Sequence, residues 1–171
     1  GAKNAKLGDR ALKLKDQEIS RDLAIDAPGN AFLLASDWHI RRFGRDGEIK
    51  WDVPSVASTW NVTLSGDRRL AVVSLNDGTI RWRRWDNGTE LLALFVHADG
   101  RRWIMWTPDG HYDASPGAED QIGWHVNNGA NTAADFFPVA RFRDRFYRPD
   151  AISKVLAALD VKEAIRHADA E

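Results

Sequence analysis

RRLAVVSLNDGTI at residues 68–80 and RRWIMWTPDGHY at residues 101–112 read as two copies of one unit. Arg68 through Val73 align one for one with Arg101 through Trp106. After a single deletion, Asp77-Gly78-Thr79-Ile80 falls on Asp109-Gly110-His111-Tyr112. In each copy a short run of β-branched or aromatic residues stops at an Asp-Gly dipeptide, whose glycine supplies the positive φ of a tight hairpin. An earlier copy begins at AFLLAS (31–36) and continues into WHIRRF (38–43), so that Ile40 falls on Ile80. Arg41, Arg42, Phe43, Glu48 and Ile49 also match Arg83, Arg84, Trp85, Glu90 and Leu91 at a constant offset.

The two clearest copies lie about 40 residues apart, the period of a four-stranded propeller blade, and the third is more compact. Gly29-Asn30, Gly66-Asp67 and Asp99-Gly100 mark the hairpins that precede the apolar runs. Together these signals predict strands near 22–26, 31–36, 39–43, 48–52, 60–64, 69–74, 79–85, 90–96, 102–106, 110–114 and 122–126, with a further strand near 10–16.

Composition bounds the rest. The 171 residues are 43% hydrophobic and 29% charged, the balance of a globular domain. With 24 basic and 25 acidic residues the net charge is -1, so no global field draws the chain to nucleic acid or anionic lipid. The absence of cysteine removes disulfides, thiolate nucleophiles and cysteine zinc sites together, and fits a reducing compartment. No stretch approaches the roughly 20 apolar residues of a spanning helix.

The stretch LAVVSLNDGTIRWRRWDNGTELLALF, with Trp-Asp at 51–52 and again at 85–86, resembles WD40 repeat sequence. From Asp77 to Tyr147 the run DGTIRW, ELLALF, WTPDGHYDASPG, IGWHVN, DFFP and RFRDRFYRPD is similar to the end of the propeller in bacterial proteins that fuse WD40 repeats to a caspase-like peptidase. That likeness covers roughly the second half of the chain. It departs from the family pattern in two ways. The Gly-His dipeptide of a WD40 blade is missing from the first two units, and a chain without cysteine carries no caspase nucleophile. The resemblance implies a propeller segment that positions or regulates an attached peptidase in the cytoplasm.

Candidate chemistry is sparse. His111 and Asp113, two apart on a strand, share a face, with Glu119 and His125 close in sequence. They form a two-histidine, one-carboxylate metal site, a general acid–base pair or a hydrogen-bonded brace across a strand junction, and the spacing fits no mechanistic motif. Ser115 lies in a turn rather than a nucleophile elbow, and phosphate-binding loops are absent. The eight tryptophans serve blade packing or a stacking surface for a sugar or a peptide. In Arg141–Arg148 arginines alternate with aromatics, which suits either single-stranded nucleic acid or the flank of an amphipathic helix, and Asp144 within the run favours the helix.

The expectations are therefore an all-β fold of about three WD40-like blades, completed by a longer parent, by self-association or by the C-terminal region, with a short helical tail. Residues 1–20 hold a partial strand or incomplete blade, 21–134 the blades and 135–171 a helical extension. A helix is expected from Pro149 along Ile152, Val155, Leu156 and Leu159, and another from the capping box Asp160-x-x-Glu163. The expected function is non-catalytic protein interaction or scaffolding without a cofactor, with a protein partner or an attached peptidase, and with neither nucleic acid nor membrane. Candidate partner-binding residues are Trp106, His111, Asp113, Trp124 and Arg141. The alternatives are a metal-dependent enzyme built on His111, Asp113 and His125, and a carbohydrate-binding module using exposed tryptophans.

Overall fold

Eleven antiparallel strands follow the pattern read from the sequence, and each lies within two residues of its predicted position. The computed structural model describes Lys3 and residues 5–171, in two compact units, Gly1–Glu90 and Leu91–Glu171. The part of the expected incomplete blade at residues 1, 2 and 4 lies outside the described residues.

In the first unit a two-residue hairpin, β1 (Lys6–Leu7) and β2 (Arg10–Ala11), precedes a four-stranded meander. That meander is β3 (Ser20–Ile25), β4 (Ala31–Ser36), β5 (His39–Gly44) and β6 (Ile49–Pro54), paired in chain order. Then come β7 (Thr59–Leu64), β8 (Leu70–Leu75) and β9 (Thr79–Arg84), again paired in order. A four-stranded antiparallel meander is the architecture of a propeller blade.

The repeat is visible in backbone geometry as well as in letters. The Asp26 N–H donates to the Ala31 carbonyl and the Gly29 N–H to the Asp26 carbonyl. Ser65, Arg68 and Leu70 repeat this arrangement, and so do His97, Gly100 and Arg102. Gly29, Arg68 and Gly100 all have left-handed φ, at 70°, 59° and 67°. This is the conformation that glycine adopts freely and arginine only under constraint. Asp67 Oδ1 accepts from the Arg69 N–H, and Asp99 Oδ1 from the Arg101 N–H, each two residues on.

These turns correct the sequence alignment in two places. Ser65 corresponds to His97 and Gly78 to Gly110 at one common offset, so no deletion separates the second and third units. The doubled arginines at 68–69 and 101–102 are shifted by one against each other. Likewise Ala35 pairs with Ile40 and Ser74 with Ile80, which makes Arg81, not Arg83, the counterpart of Arg41. Arginine-rich strands align with themselves at several registers; hairpin hydrogen bonds fix only one.

The two sheets of the first unit pack face to face. Leu33, Ala35, Ile40 and Trp51 from the first sheet meet Val62, Ala71, Val73 and Leu75 from the second, all buried. The Trp51 indole N–H donates to the Trp85 carbonyl at 2.9 Å, so this large ring spans both sheets with its polar atom satisfied. The side chain of Asp22 on β3 accepts from the Val62 N–H at 2.7 Å and from Asn61 at 2.8 Å, which ties the first strands of the two sheets together.

In the second unit β10 (Glu90–Val96, whose first residue belongs to the first unit), β11 (Trp103–Trp106) and β12 (Tyr112–Ala114) form a meander. Its buried Ile104 and Tyr112 pack against Val139, with Phe95, Trp106, Ile122, Phe146 and Tyr147 around them. Asp135–Pro138, expected to end the strand pattern, is itself a strand: β14, paired with β13 (Gly123–Val126). Beyond a 3-10 turn at Val139–Phe142 the chain is helical: α1 (Arg143–Phe146), α2 (Pro149–Ile152), α3 (Val155–Ala158) and α4 (Val161–Asp169). Leu159 breaks the expected continuous stripe at a left-handed φ of 55°. The Asp160 side chain accepts from the Glu163 N–H at 3.0 Å, as the capping box predicts. No helix among the described residues is long and apolar enough to cross a membrane.

Candidate functional site

His111 lies on the turn between β11 and β12, and Asp113 lies on β12. The His111 Nδ1 is buried 3.3 Å from Asp109 Oδ1. The ring lies 5.7 Å, centroid to centroid, from Phe146, and Phe146 in turn lies 5.1 Å from Trp124. Gly110 is what allows this corner to close: with φ at +93°, a Cβ there would sit 1.9 Å from Trp124 Cη2. Trp106 packs, with Phe146, against the Ile104, Tyr112 and Val139 core. Asp113 turns its Oδ1 to the N–H of Ala114 at 2.8 Å, and His125 sits exposed on β13 opposite Phe136. Among the described residues no three His, Cys, Asp or Glu side chains are grouped to hold a metal ion.

The neighbouring groups bond within the second unit. The buried Tyr112 hydroxyl donates to Glu119 Oε1 at 2.8 Å, and Arg143 pairs with the same carboxylate. Burial and the adjacent carboxylate both push the Tyr112 phenol above its ordinary pKa, so it stays protonated. Arg141 lies over the Phe137 ring at 4.8 Å, Arg143 over Tyr147 at 3.9 Å and Arg145 over Phe146 at 5.2 Å. The alternation of arginine and aromatic residues is thus used locally, as cation–π stacks within the C-terminal segment.

A surface that sequence reasoning passed over lies in the first unit, at the end where β4 and β6 finish and β3, β5 and β7 begin. Trp38, Val56 and Trp60 are there 60%, 65% and 72% exposed. The backbone beneath them is well tied. The Ser55 N–H donates to the Trp38 carbonyl, the Asp37 N–H to Ile19 and the Asn76 N–H to Ser58. Trp60 and Arg21 line a cleft of about 310 Å³ with Ser58, Thr59 and Asn76. The Arg21 guanidinium is anchored on Asp37 at 2.5 Å while its side chain stays 43% exposed. Arg21 and Trp60 hold equivalent places, each at the register shift of the first strand in its sheet. Such a bulge turns its side chain out of the alternation, and a shift of register is not visible in a sequence pattern.

No protein-family model and no curated protein sequence matches the chain. Among solved structures the chain is similar to BamB from Moraxella catarrhalis, at 17% identity and a TM-score of 0.46 over 65% of this chain and 39% of that one. It is similar to the beta-propeller domain of Cps50 (Swd1) from Myceliophteria thermophila, at 14% identity and 0.44 over 62% and 40%. The computationally designed Ika4 protein gives 16% identity and 0.41 over 54% and 68%. The chain thus spans about two fifths of the length of the BamB structure it resembles.

Proposed function

We propose that this chain is a non-catalytic protein-interaction module that binds its partner at the end of the first unit bearing Trp38, Val56 and Trp60. The observation that carries the reading is the exposure of those three large apolar side chains, at 60%, 65% and 72%, two on turns tied by backbone hydrogen bonds and Trp60 at the start of β7. Large apolar groups on a fixed scaffold lose little conformational freedom on binding, and tryptophan and arginine are the residues that most often anchor interfaces. Arg21, half-exposed beside Trp60, adds a cation for an acidic or carbonyl-rich segment. Trp106, His111, Asp113, Trp124 and Arg141 in the second unit are proposed as further partner contacts. In a larger protein the module holds or restrains an attached caspase-like peptidase, in line with the sequence resemblance, and works in the cytoplasm.

Quantitative affinity purification from the natural host tests it, with the native chain and the Trp38→Ala/Trp60→Ala double variant as baits. Both substitutions are at exposed positions, and equal far-UV circular dichroism establishes that the fold is kept. The expected result is a stoichiometric partner whose recovery falls at least tenfold with the variant. An unchanged set of partners would overturn the reading.

A further inference from the structure

A second apolar surface covers one face of the first sheet. Leu23 and Ile25 on β3 are 50% and 63% exposed. They pair across the sheet with Leu34 and Phe32 on β4. The other half of this face, around Phe32, Leu34 and Phe43, is covered by Ala5, Leu12 and Leu14 from the N-terminal segment. Between the covered and bare halves runs a cleft of about 740 Å³, with Leu7, Leu12, Leu23, Ile25 and Phe32 in its lining.

What fits this face is written in the second sheet. Val62 and Leu64 on β7 pair with Val73 and Ala71 on β8. These pairs occupy the places of Leu23 and Ile25 with Leu34 and Phe32, counted from the shared register shift at Arg21 and Trp60 and from the shared left-handed turn residue at Gly29 and Arg68. In the second sheet that face is buried. Val62, Ala71 and Val73, with Leu64 beside them, pack on Leu33, Ala35, Ile40 and Trp51 of the first sheet. One face is thus built twice from apolar residues at the same positions, once buried under another antiparallel sheet and once half bare.

We infer that the bare face at Leu23 and Ile25 is a docking site for an antiparallel β-sheet of the same repeat type carried by a protein partner. The equivalence specifies the occupant's surface: small and aliphatic residues alternating along two central strands, with a large ring on the next, as Leu33, Ala35, Ile40 and Trp51 provide. The inference rests on the interaction-module reading but concerns a different surface. Losing the Trp38/Trp60 partner from that reading leaves this one standing.

The test is site-specific photocrosslinking. Ile25 is replaced by p-benzoylphenylalanine in the 171-residue chain, which is irradiated in host extract, and the attached peptide is sequenced. The expected product is a peptide from an inward-facing strand of an antiparallel meander in another protein, with its yield cut at least tenfold by a Leu23→Glu substitution. Circular dichroism and thermal unfolding confirm that this exposed position tolerates the change. A crosslink to residues 20–34 of a second copy, to residues 5–14 of the same chain, to a helical or unstructured peptide, or to nothing would each overturn the inference.

Discussion

Glu18 and Arg41 form a buried charge pair, with side chains 2% and 1% exposed and both guanidinium nitrogens 2.8 Å from the carboxylate oxygens. The Ser36 hydroxyl and the Lys15 N–H donate to the same carboxylate, and Asp52 accepts from Arg41 Nε at 3.1 Å. Burial alone would raise the Glu18 pKa, but the donors outweigh it and hold the group down to about 2. A carboxylate whose pKa is lowered on folding stabilises the fold fully above its unfolded value near 4.5, and that contribution fades as pH falls toward 2. Glu18→Gln keeps the shape but leaves the Arg41 charge with Asp52 and without its buried carboxylate, which costs about 2–3 kcal/mol. Urea unfolding at pH 7 should show that loss, and between pH 5 and 3 the native chain should lose more stability than the variant. In the second unit, Gly110→Ala sets a β-carbon into Trp124 at a left-handed φ and should cost about 2–4 kcal/mol. Thermal unfolding monitored by tryptophan fluorescence reads this directly. Untagged protein should carry no stoichiometric zinc or manganese by elemental analysis; one ion per chain would contradict the reading of His111, Asp113 and His125 as a strand junction.

Elements were legible where one local force dominates. Short apolar runs ending at Asp-Gly or Gly-Asp dipeptides gave the hairpins, because a turn residue with positive φ and a period of two leave little else for the chain to do. The cap of α4 was legible for the same reason, and Asp160→Ala should cost about 1 kcal/mol, seen as fraying of α4 in amide exchange. Register was not legible. Arg81, Arg83 and Arg84 offer near-equal matches to Arg41 and Arg42, and the choice is made by pairing across the sheet and by the ion pairs of Arg81 and Arg83 with Glu90, at 2.7 and 2.5 Å. β14 was missed because Asp135-Phe136-Phe137-Pro138 is strand-forming only through its partner β13. The expected single helix after Pro149 divides at Ser153 and Lys154, a break that its apolar spacing did not signal.

At the scale of the molecule, repetition was readable and exposure was not. The sequence drew attention to His111, Asp113, Trp124 and Arg141 because they are near one another in the chain, whereas Trp38, Val56 and Trp60 are separated by strands and reach one end of the sheets only when the strands pair. The indoles also looked alike in the sequence. Trp51 is buried and bonded to the Trp85 carbonyl, Trp85 lies 4.3 Å beneath the Arg42 guanidinium, and Trp60 is bare. Trp51→Phe should therefore destabilise the first unit by about 1–2 kcal/mol through the orphaned carbonyl and lost contacts, while Trp60→Ala stays within about 0.5 kcal/mol. Chemical denaturation of the two variants separates structural from surface tryptophan. The most direct measurement of the account is hydrogen–deuterium exchange of the chain with and without its captured partner. The account predicts new protection concentrated in residues 36–39 and 55–60. Protection confined to the second unit, or none anywhere, would contradict it.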